Sequence, residues 1–133
     1  MRVVVHVDGG SRGNPGPAAG AAVISTPEGE RLAQASELLG VATNNVAEYR
    51  GLLLGLRRAS ELGATDVELI NDSELVAKQL SGVYKVKHPD MRPLHAQAIA
   101  ALRAFEHWSI RSVPREQNAQ ADALVNAALD GAR

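Results

Sequence analysis

Four acidic residues stand out by position: Asp8, Glu48, Asp72 and Asp122. Asp8 closes the β-branched run Val3 to Val7, and Asp72 follows the short apolar run Val67 to Ile70. Taken singly, each has an ordinary structural role as a helix cap or turn residue. Taken together they define a chemistry. Four carboxylates drawn into one site repel one another, and some hold their protons unless a cation neutralises them. An all-oxygen donor set, with no Cys and no paired His, suits a hard ion such as Mg²⁺ or Mn²⁺. Two such ions roughly 3.5–4 Å apart can clamp the attacking and leaving oxygens of a phosphoryl displacement, which is the chemistry of phosphodiester hydrolysis.

The elements that must bring these acids together are legible in order. The nearly continuous apolar run from Arg2 to Val7 suits a strand covered on both faces. Gly9 to Pro17, with four glycines and two prolines, reads as loop. Ala19 to Ser25 and Arg31 to Leu39 form a hairpin around Thr26-Pro27-Glu28-Gly29. Apolar residues at helical spacing predict a helix from about Asn45 to Leu62, stopped by Gly63, with Glu48 in its first turn. Val67 to Ile70 is a short strand; Asp72 or Ser73 can cap a helix through Leu80. Asp90 to Phe105 is an Ala-rich helix, Trp108 to Val113 a strand, and Pro114 to Asn118 a loop. Ala119 to Leu129 is a last helix with Asp122 in its first turn, where its dipole favours negative charge. The order β-β-β-α-β-α-α-β-α predicts an α/β fold, a mixed sheet with helices on its faces. Asp8 and Asp72, each at a strand's carboxyl end, then point to one pocket.

Composition narrows the function class. A chain of 133 residues, 45% hydrophobic and 22% charged, is one globular domain with room for a core. The absence of cysteine excludes a disulfide scaffold, a thiolate metal site and a Cys nucleophile. No run reaches the ~20 apolar residues of a membrane span, and the N-terminus meets Asp8 too soon for a signal peptide, so a cytoplasmic location away from membranes is expected. A net charge of −1 means that any polyanion must find a local basic patch. The glycine-rich segment after Asp8 has neither a P-loop Gly-Lys-Ser/Thr nor G-x-G-x-x-G, so an organic nucleotide cofactor is not expected.

Four segments carry a resemblance. They are Asp8-Gly9-Gly10-Ser11-Arg12-Gly13-Asn14-Pro15-Gly16-Pro17, Thr43-Asn44-Asn45-Val46-Ala47-Glu48-Tyr49, Asn71-Asp72-Ser73-Glu74-Leu75-Val76, and Val113-Pro114-Arg115 with Asn118 and Asp122. In order and at this spacing, they make the chain resemble ribonuclease H of type 1, in its archaeal and actinobacterial forms, over essentially its whole length. The resemblance implies a ribonuclease H-like fold, with a five-stranded sheet of three antiparallel strands followed by two parallel ones. It implies endonucleolytic cleavage of the RNA strand of an RNA–DNA hybrid, leaving 5′-phosphate and 3′-hydroxyl ends, with two Mg²⁺ ions in the substrate complex and Mn²⁺ as a substitute. Asp8 would bridge the two ions. Asp122 would help hold the one that activates water, and Glu48 and Asp72 the one on the leaving oxygen. Asn14, Asn44 and Asn45 match residues that contact the minor groove, where the 2′-OH marks RNA, and Thr43 matches one that grips a DNA phosphate. A monomer is expected. Residues 1–133 are expected to form a single ribonuclease H domain, alone or at the front of a longer protein, since actinobacterial relatives can carry a C-terminal phosphatase-like domain.

The sequence also departs from that pattern. None of the four histidines lies between Pro114 and Asp122, where many relatives have a mobile one. Arg115 stands there instead; it keeps its charge and cannot shuttle protons, yet can stabilise phosphate charge. Glu74 replaces a neutral residue beside Asp72, where it either meets the polyanion or turns away. The basic protrusion of some relatives is missing; Lys85 and Lys87 remain, either as a small phosphate-facing patch or as a solvated loop. Trp108, on a strand, is expected in the core rather than as a stacking platform. The rival reading is a hybrid- or RNA-binding module on the same fold with weak or no cleavage. A related nuclease acting on DNA is disfavoured by Thr43-Asn44-Asn45.

Overall fold

The computed structural model describes residues 1–132. Five strands, β1 (Arg2–Ser11), β2 (Gly16–Ser25), β3 (Arg31–Ala42), β4 (Asp66–Asn71) and β5 (His107–Ser112), form one sheet in the order β3-β2-β1-β4-β5. The first three pair antiparallel, and β4 and β5 join parallel to β1. Helices α1 (Asn44–Glu61), α2 (Glu74–Leu80), α3 (Arg92–Leu102) and α4 (Ala119–Gly131) complete the chain, with a 3-10 turn at Arg115–Asn118 before α4. The mixed sheet expected from the element order is the one found.

Side-chain alternation along β2 divides the core. Ala22 and Ile24 face the larger cluster with Val3, Val5, Val7 and the buried faces of α1, α2 and α3. Ala19 and Ala21 lie on the other face, against Val125 and Leu129 of α4. Helices therefore cover both faces. Tyr49, wholly buried on α1, donates its hydroxyl to Gln79 Oε1 at 2.6 Å and ties α1 to α2. That satisfies the polar end of a ring whose body is in the core.

Three expectations are corrected. The strand β1 does not stop at Asp8 but runs through Gly9 and Gly10 to Ser11, because β2 keeps pairing as far as Ser11 with Ala18. The expected long loop shrinks to residues 12–15. Helix α1 begins at Asn44 behind the cap Thr43, so Glu48 sits beyond the first turn, and no acid lies there. Trp108 is 37% exposed rather than core, because β5 is an outer strand with a mostly exposed face.

Candidate active site

The site is built where β1 lies at the centre of the sheet. Asp8, opposite Ala21 of β2, is 7% exposed. Two glycines let α1 come down on it. A Cβ at Gly9 would run into the Ala47 carbonyl, and one at Gly51 into the Asp8 carbonyl. Only hydrogen fits at either position. This contact brings Glu48, three residues before Gly51 on the same helix, beside Asp8.

Asp72 arrives from the end of β4, followed by Ser73, whose hydroxyl caps α2 by accepting from the Val76 amide at 3.2 Å. Carboxylate oxygens of Asp8, Glu48 and Asp72 lie within 4.8 Å of one another. Burial first, and then the Asp72 charge, push the Asp8 carboxyl up to about 8. Burial likewise pushes Glu48 up to about 7, with the Asp72 charge adding to it and a hydrogen bond from Ser73 opposing. Asp72 is raised by burial while the Arg115 guanidinium pulls it down. Three oxygen donors whose charges crowd one another in a half-buried cleft are a fit for a hard divalent cation.

Asp122, in the first turn of α4, lines the same cleft but stands outside that trio. Its Oδ1 accepts from Arg115 Nη2 at 3.4 Å and its Oδ2 from Asn126 Nδ2 at 3.4 Å. Arg115 and Asn44 also line the cleft. Asn44 Oδ1 accepts from the Ser11 amide, and Asn14 Oδ1 from the Asn44 amide, which knits the 12–15 loop to the start of α1. Thr43 accepts from the Val46 amide as the α1 cap, and Asn45 is exposed beside it.

Lys85 and Lys87 are exposed on the connection between α2 and α3, and neither lines the acidic cleft. Glu74 turns to Lys78, one helical turn on, and that cation holds its carboxyl below the usual range. Lys78 also lies 5.0 Å from the Tyr84 ring centre.

Asn126 escapes a reading of the sequence for chemistry, and Asn118, part of the last motif, has no role assigned there. Asn126 is four residues after Asp122, a helical spacing that predicts contact. Asn118, buried at the end of the 3-10 turn, donates to the Val7 carbonyl at 2.9 Å and anchors the start of α4 to β1. Elsewhere, Asp66, Glu106 and His107 group at the opposite end of β4 and β5, away from the cleft.

Residues 6–128 match the family model described as reverse transcriptase-like. The chain is 50% identical over 133 residues to the bifunctional protein Rv2228c of Mycobacterium tuberculosis, covering 99% of this chain and 36% of that protein. It thus spans about a third of that relative's length. It is 47% identical to ribonuclease HI of Halobacterium salinarum over 98% of this chain and 66% of that one. A crystal structure of RNase H1 from that archaeon superposes with a TM-score of 0.96 at 46% identity, covering 98% of this chain and 99% of that one. The crystal structure of LC11-RNase H1 in complex with RNA/DNA hybrid gives 0.94 at 39% identity, covering 98% of each.

Proposed function

The chain belongs to the ribonuclease HI family, and from that premise we propose that it hydrolyses the RNA strand of RNA–DNA hybrids, acting as one catalytic domain over residues 1–133. The observation that carries this reading is the convergence of Asp8, Glu48 and Asp72 in a cleft that Asp122 and Arg115 also line.

In this reading Asp8, Glu48, Asp72 and Asp122 hold divalent ions, Mg²⁺ with Mn²⁺ as a substitute, two in the substrate complex. When bound, such ions would supply Lewis acidity toward the phosphodiester and would make water a better nucleophile. The chain's own groups do the rest. Asn44 and Asn14 engage backbone amides through their carbonyl oxygens, which leaves their NH₂ groups for the minor groove, with Asn45 beside them. Thr43 accepts a backbone amide and keeps its O–H to donate to a phosphate. Arg115 offers a permanent positive charge to the phosphate as charge builds on it. Breaking the P–O3′ bond leaves a 5′-phosphate and a 3′-hydroxyl. The same reading places this action in the cytoplasm, carried out by a monomer. No helix among the described residues is long and apolar enough to cross a membrane.

The test is cleavage of an end-labelled hybrid with Mg²⁺, with Mn²⁺ and with EDTA, beside Asp72→Asn. Metal-dependent cuts in the RNA strand, reduced about a hundredfold or more in the variant, are expected. Binding without cutting would leave a hybrid-binding module, and cutting of DNA would overturn the substrate assignment.

A further inference from the structure

Both oxygens of Asp122 are already engaged by donors of its own chain, one by Arg115 and one by Asn126. The other three acids have no such guanidinium at hydrogen-bond distance among the described residues, and their oxygens converge without Asp122. The two halves of the cleft are therefore unlike. One is a crowd of carboxylates with no cation in direct contact; the other is a carboxylate that touches Arg115, whose charge reaches Asp72 only through space. We propose that Arg115 is an internal counter-cation that withholds Asp122 from divalent ions in the substrate-free protein.

The local architecture suits that role. Asn118 pins the 3-10 turn to β1 through the Val7 carbonyl, so the base of Arg115 is anchored. Its side chain is 77% exposed, against 28% for Asp122, so the guanidinium can leave the carboxylate without unpacking the core. Because arginine stays charged at any working pH, protonation does not release the contact. A competing cation or anion must do so. An exposed pair of this kind is weak enough to exchange. The inference rests on the reading of this cleft as a divalent-cation site, and it makes Arg115 a positioning residue that acts through Asp122.

The experiment is a Mn²⁺ titration of the substrate-free chain, followed by calorimetry, in a double-mutant cycle. Arg115→Ala should bind Mn²⁺ about fivefold more tightly, or take up an additional ion, relative to wild type. In an Asp122→Asn background the same substitution should bring no gain. An equal gain in both backgrounds would mean a general charge effect and overturn the proposal, as would no gain in either. Asp8→Asn separates this from the underlying reading. Lost Mn²⁺ binding there supports the cation site whatever Arg115 does, and unchanged binding removes the site and the proposal together.

Discussion

Gly51 on α1 lies against the Asp8 carbonyl on β1 so closely that a Cβ at position 51 would overlap it. The helix and strand that carry Glu48 and Asp8 are thus held at backbone contact. Gly51→Ala gains helix propensity but must push α1 off the sheet. A net loss of about 1–3 kcal/mol is expected, read by urea denaturation. Unchanged stability would show that α1 can shift freely.

Asp8 links the site to stability through pH. Its carboxyl holds a proton up to about 8 in the folded chain, whereas an unfolded Asp releases it near pH ~4. Between those values the folded state binds more protons, so metal-free stability falls as pH rises. Asp8→Asn should flatten that fall and raise stability at pH 8 by several kcal/mol, at ~1.4 kcal/mol for each pH unit of that window. Denaturation in EDTA at pH 5 and pH 8 checks it; a large loss of stability would make Asp8 structural.

Tyr49 and Gln79 form a buried pair across α1 and α2. Tyr49→Phe leaves the Gln79 oxygen without its donor, which should cost about 1–3 kcal/mol. A neutral substitution, measured by thermal or urea unfolding, would show that water reaches Gln79.

Lys85 and Lys87 lie outside the cleft on an exposed connection between α2 and α3. Replacing both with Ala should raise KM for the hybrid and reduce the salt slope of binding by about 1–2. An unchanged slope would leave them as a solvated loop.

Much of the architecture is legible in the chain. The helical spacing from Val46 to Leu62 and the β-branched run before Asp8 set element type and order, because periodicity is a local property. Boundaries are less legible. Glycines at 9 and 10 read as a break, yet β1 continues through them, since pairing with β2 outweighs the local preference. Trp108 reads as core from its place on a strand, but an outer strand leaves it partly in solvent.

Chain order and local periodicity already tell which acids are available and which elements carry them. That Asp8, Glu48 and Asp72 converge while Asp122 stands apart, held by Arg115 and Asn126, emerges only from how the elements pack. Spacing along one helix or strand sets which side chains share a face. Distances between elements depend instead on close packing across the core, here on how nearly two glycines let α1 approach β1.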